Sequence, residues 1–275
     1  MLYYTTKDAK KLYFMDLKEQ NWKNFTHNHL RDWQGIWTRY SRQREVTESF
    51  QSLRSFRGNP EETEIVQTNR YAYADGRTLE KIWEFNQLSN SLSNGLFHPE
   101  NESMRGVFFE SGHAAWVSTK LNTGSYFAVE LFFKYEELRH SVGIVYDELG
   151  SLFRTANIRE DAARFPSQYW STELIQLPER NLSGNWQGTA VTMTPDLKIS
   201  APVVTQLHWG WEGHETFFLP DGVSVSCPGK VSVGTSFTMV VNWLVTASEM
   251  QQLLVKYDES GDFSALTLEL LHLLH

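Results

Sequence analysis

A short phrase opens and closes a longer segment of this chain, twice. Trp33-Gln34-Gly35 is followed by Tyr146-Asp147-Glu148-Leu149-Gly150, and Trp186-Gln187-Gly188 by Tyr257-Asp258-Glu259-Ser260-Gly261. Matching openings and closings restrict the chain to two similar folding units in tandem. At 275 residues there is room for two such units, each with its own core. The copies are unequal: 113 positions separate Trp33 from Tyr146, but only 71 separate Trp186 from Tyr257. The first unit therefore has more strand and loop, and it is the better place for a binding cavity.

Residues 16–30 read as a short helix, with Asp16 as its cap and Leu17, Trp22, Phe25 and Leu30 on one broad face. After Arg31 the texture changes to short runs of period two. Candidate strands in the first unit span 33–40, 47–56, 64–73, 77–85, 104–110, 113–120, 126–133 and 138–146. In the second they span 185–193, 198–209, 214–219, 222–226, 236–245, 250–257 and 263–271. Turn signals such as Asp75-Gly76 and Asn94-Gly95 fall between them. The closing phrase suits a hairpin: Asp147 and Asp258 start the turn, and Gly150 and Gly261 take the left-handed position. Short strands with little helix argue for antiparallel barrels or sandwiches.

Charge and composition narrow the partners. The net charge is -8 and no Lys/Arg tract occurs, which argues against nucleic acid and anionic membrane surfaces. No stretch approaches the ~20 apolar residues that cross a bilayer, so membrane insertion is not expected. The single cysteine, Cys227, lies before Pro228 and reads as a small apolar filler; the chain suits a reducing cytoplasm. His27-Asn28-His29 lacks a third metal ligand nearby, so no metal is expected. No nucleophile elbow or phosphate-binding glycine loop occurs either. The expectation is a protein that binds rather than catalyses.

Three features bear on what it binds. Arg54 shares a strand face with Phe50, Ser52 and Phe56. If inward, it needs a partner such as a ligand carboxylate or a buried Glu; if outward, it joins a solvated face with Glu45, Glu48, Glu61 and Glu62. Arg57 shares the other face of that strand with Leu53, Arg70 lies in the next candidate strand, and both extend the candidate clamp. Glu130, inside the apolar run YFAVELFF, either pairs an inward arginine or faces solvent. Arg159-Glu160 reads as a surface ion pair.

The strings NWKNFTHNHLRDWQGIWTRY, SFQSLRSFR and QTNRYAY in the first unit resemble a cyanobacterial and plastid family of proteins of unknown function, DUF3598-like. VELFF and IVYDELG continue the resemblance, and NLSGNWQGTAVTM, FLPDGVSVSCP and NWLVTASEMQQLLVKYDESG carry it through the second unit. Gly35-Ile36-Trp37 and Gly184-Asn185-Trp186 both fit a lipocalin Gly-x-Trp opening, in different frames. The resemblance implies an all-β fold of two tandem antiparallel lipocalin-like (calycin) β-barrels with a short N-terminal helix. With the N-terminal extension read over 1–15 and an ordered connector over 166–180, the two barrels span 16–165, the larger, and 181–275, the smaller. The resemblance also implies a small apolar ligand, such as a bilin, or a protein client. A bilin would sit against Trp83 and Trp116, with its propionates on Arg54, Arg57 or Arg70 and Glu130 beside them. The second unit is similar to the C-terminal domain of a plant biogenesis factor for chloroplast ATP synthase, which implies an assembly role.

Overall fold

The computed structural model describes residues 16–180, 182 and 184–274; the expected extension over 1–15 lies outside them. Helix α1 (Leu17–His29) starts where expected, with the Asp16 carboxylate accepting from Lys18 N at 3.1 Å. Strands β1 (Asp32–Ser41), β2 (Val46–Gly58), β3 (Glu64–Tyr73) and β4 (Thr78–Asn86) follow. A short helix α2 (Gln87–Asn90) precedes β5 (Ser91–Leu92), β6 (Gly95–His98), β7 (Asn101–Phe108) and β8 (Ala114–Ser118). β9 (Phe127–Tyr135), β10 (Leu138–Tyr146) and β11 (Leu152–Asp161) complete the first unit. The second unit holds β12 (Asn185–Met193), β13 (Val203–Gln206), β14 (His214–Phe218), β15 (Val223–Pro228), β16 (Phe237–Thr246), β17 (Glu249–Tyr257) and β18 (Phe263–Leu274).

Every pairing between these strands is antiparallel. The first sheet runs β4-β3-β2-β1-β11-β10-β9-β8-β7-β6-β5, and the second β13-β12-β18-β17-β16-β15-β14. The chain is thus almost all β, folded into antiparallel barrel-like sheets, as its alternation predicts. Two departures have local causes. β5 and β6 are too short to show alternation. The expected run 198–209 shrinks to β13, because Pro202 has no N–H to donate to a ladder.

The repeated phrases have structural reasons. In β1, Gly35 lies opposite Glu160 of β11; in β12, Gly188 lies opposite Leu271 of β18. A Cβ on Gly35 would come within 2.1 Å of Arg159 O, and one on Gly188 within 1.8 Å of Leu270 O. Trp-Gln-Gly therefore marks where each unit's first strand closes tightly on its last. In the closing turns, Asp147 Oδ1 accepts from Leu149 N at 2.9 Å and Ser151 N at 2.8 Å. Asp258 does the same with Ser260 N and Asp262 N.

These turns also dock the two units on each other. Tyr146 Oη donates to Pro228 O at 2.8 Å, and Tyr257 Oη donates to Ser118 O at 2.8 Å. Val231 N bonds Gly150 O and Leu121 N bonds Gly261 O, each at 2.8 Å. Gly150 sits at φ 73° with Val231 O 2.2 Å from where a Cβ would stand, so no other residue fits this contact. Beneath the turns the outer face of β7–β10 packs on one face of β15–β18. Val107, Leu131, Val142 and Ile144 join Val225, Val241, Leu253 and Val255 in one buried cluster. Cys227 belongs to it, and burial pushes its thiol up to about 12, which suits a packing role.

Residues 162–180 run without helix or strand. Tyr40 Oη donates to Leu174 O at 2.7 Å, and Leu177 N to Phe218 O at 2.8 Å. Arg159 departs from its expected surface pairing. It is fully buried on the outer face of β11 and reaches Asp221 at 2.6 Å and Ser171 O at 3.0 Å. Glu160, one residue on, is buried on the opposite face, because successive strand residues alternate.

Candidate functional site

The interior of the first barrel gathers most of the residues singled out by sequence. Arg54 of β2 lies opposite Trp33 of β1, Glu160 opposite Gly35, and Glu130 of β9 opposite both Gly143 and Trp116. All of these positions face inward. Helix α1 closes one end, with Trp22 and Phe25 packed on Phe56, Phe85 and Phe108.

A charged network crosses this aromatic lining. Arg54 grips Glu160 with two bonds, Nε at 2.5 Å and Nη2 at 3.0 Å, and reaches Glu130 at 3.3 Å. Arg139 donates to Glu160 at 2.7 Å and to His29 Nδ1 at 3.1 Å. Ser141 donates to Glu130 at 2.8 Å. The Arg139 guanidinium lies 4.3 Å from the Trp33 ring centre, and that of Arg54 5.0 Å from Trp37. Two arginines thus meet two carboxylates, and the interior charge balances within the protein.

Burial alone would raise the Glu160 carboxyl, but Arg139 and Arg54 beside it hold it below the usual range. Burial also opposes the Arg54 charge, yet its two carboxylates raise it overall. Arg139 has to share Glu160 and faces Arg54, so burial prevails and brings it down to about 10, still charged at neutral pH. His29 is pushed well below its ordinary value by burial and then by Arg139, so it is neutral and its Nδ1 accepts.

Around Arg54 and Arg139 the remaining cavity is about 20 Å³, room for about one water. The sheet ends at β4 and β5, which do not pair with each other, so no ladder closes the barrel there. There Trp83 and Trp116 flank His98, with ring centres 5.8 and 4.9 Å away, and Glu100 binds Trp83 Nε1 at 3.1 Å and Lys81 at 3.0 Å.

The structure therefore brings Arg54, Glu130 and Trp116 together and sets Trp83 at that unpaired end. It separates Arg57 and Arg70 from them. In β2 the even positions face in, so Arg57 faces out and pairs Asp32 at 2.7 Å. In β3 the odd positions face in, so Arg70 faces out and pairs Glu80 at 2.6 Å. The expected arginine clamp is not formed. Sequence reasoning missed Arg139, Glu160, Ser141 and His29. The signal was the polar spacing of Arg139, Ser141 and Gly143 along one face of an otherwise apolar strand.

Among the described residues no group of three or more His, Cys, Asp or Glu side chains converges as a metal site. No helix among them is long and apolar enough to cross a membrane.

Residues 18–165 match the family model described as domain of unknown function DUF3598, N-terminal. Residues 210–270 match the C-terminal domain of biogenesis factor required for ATP synthase 1. A crystal structure of a DUF3598-family protein of unknown function from Nostoc punctiforme PCC 73102 superposes with a TM-score of 0.72 at 20% identity, over 92% of this chain and 99% of that one. The S-type phycobiliprotein lyase CPES of Guillardia theta is more distant, with a TM-score of 0.36 and 11% identity over 55% of this chain and 97% of its own. No curated protein matches the chain.

Proposed function

Since the chain belongs to the DUF3598 family of unknown function, we propose from its geometry that it is a non-enzymatic binding protein whose client is another protein. One observation carries this reading. The inward charges Arg54 and Glu130 are answered by Glu160 and Ser141 rather than left for a ligand, and the space beside them is filled. Contact with a client then falls to the outer surfaces. The free edge β13 offers Val203 and Val204, 58% and 84% exposed, next to Ile199. The match of residues 210–270 supports an assembly role toward ATP synthase. In this reading the chain holds a subunit of the catalytic head before it is incorporated. Co-elution of the purified chain with isolated catalytic-head subunits tests it. A complex should form, and Val204→Asp should weaken it; no complex at micromolar concentrations sinks the assembly reading.

The unpaired sheet end beside β4 favours a second reading. Trp83 and Trp116 are half-buried there, and Leu79 is 43% exposed on an inner face. A planar apolar ligand such as a bilin fits against those rings, though without the arginine clamp. Titration with phycocyanobilin decides it: an unchanged absorption spectrum at micromolar protein removes this reading.

A further inference from the structure

A second pocket lies on the other unit, and neither reading above uses it. On β14 and β15, His214, Thr216 and Ser226 project from the face opposite the shared core. Trp209 and Trp211 close one side, the connector brings Glu179, and Arg44 arrives from the β1–β2 turn. Together they enclose about 420 Å³, the size of a small-ligand cleft. The pocket is built from both units and the segment joining them.

Its chemistry is that of hydrogen bonding beside flat rings. Trp211 stacks on His214 at 18° with centres 5.8 Å apart. Trp209 and Trp211 thus present ring surface to the cleft. Arg44 spends one N–H on Thr216 O at 3.2 Å, and no carboxylate pairs it among the described residues. Thr216 Oγ1 and His214 Nδ1 meet Ser226 Oγ at 3.3 and 3.2 Å, leaving further hydroxyl and imidazole capacity. Burial lowers His214, so the ring is neutral and offers one donor and one acceptor.

These groups select a ligand class. An apolar ligand would strip water from the exposed Arg44 and Glu179 without replacing its hydrogen bonds. A strongly anionic one would meet the Glu179 carboxylate. Hydroxyls both donate and accept, so a polyhydroxylated ligand can serve both an arginine and a glutamate. The C–H face of a sugar ring would then lie on indole. We propose that this pocket binds a neutral polyhydroxylated ring, a mono- or disaccharide. The proposal is independent of the client reading.

The test is saturation-transfer NMR on the full chain with glucose, galactose, maltose and cellobiose. At least one should bind saturably, with a dissociation constant on the order of 1 mM. Trp211→Ala and Arg44→Ala should each weaken binding at least about tenfold, while Trp83→Ala in the first barrel leaves it unchanged. Arg44 lies on an exposed turn, so its variant remains informative if Trp211→Ala misfolds. Absence of saturable binding for all four sugars at about 10 mM overturns the proposal. So does binding that survives these substitutions in folded protein.

Discussion

At the scale of single residues, the buried network around Glu160 governs stability more than any exposed ion pair. Glu160→Gln leaves Arg54 and Arg139 facing each other with only Glu130 in reach. Breaking such a buried pair costs roughly 3–5 kcal/mol; urea unfolding should show it, while Arg70→Ala, at an exposed pair, should leave the midpoint nearly unchanged. Buried histidines set the acid limit. Burial lowers His113 and His140 to about 4 each, and His29 well below its usual value. The unfolded chain therefore binds more protons below about pH 6.5, and stability falls as pH drops from there toward 4. Thermal melts across that range should lose up to about 1.4 kcal/mol per histidine per pH unit, and His113→Gln should remove its share. Strand alternation grouped Arg54 with Phe50, Ser52 and Phe56 but left open whether that face points inward. The partner of Arg54 was not legible, since Glu160 lies 106 positions away and its neighbour Arg159 suggested a surface pair.

At the scale of elements, helix α1 does more than plug the barrel. Asn21 Nδ2 donates to Gly106 O at 3.0 Å while its Oδ1 accepts from Phe108 N at 2.9 Å. Asn24 donates to Phe108 O at 2.8 Å and Asn28 to Glu110 O at 3.1 Å. Three asparagines along the helix thus satisfy the free edge of β7 where β6 has ended. Asn21→Ala leaves a buried strand N–H and C=O unpartnered and should cost about 1–3 kcal/mol. Hydrogen exchange at Phe108 should quicken; if it does not, the edge is satisfied another way. The helix itself was legible from its cap and its Trp22/Phe25 face. The asparagines were not, because polar residues on a helix ordinarily mean a solvated side.

At the scale of the whole molecule, the two units behave as one body because they share a core and exchange their closing turns. Tyr146→Phe and Tyr257→Phe should each cost about 1 kcal/mol by removing a buried hydrogen bond between units. Denaturant unfolding followed by tryptophan fluorescence and circular dichroism should give one coincident transition. Two separated transitions would show that the common cluster does not couple the units. The sequence by itself determined most of the strands, their turns and the helix, because alternation, capping and turn chemistry act over a few residues. Only the tertiary structure decided what those strands face. It sent Arg57 and Arg70 outward, matched Arg54 to Glu160, and turned the repeated Tyr-Asp-Glu-x-Gly into a contact between units. Such matches depend on strand register and on packing between residues far apart in the chain, which no local pattern records.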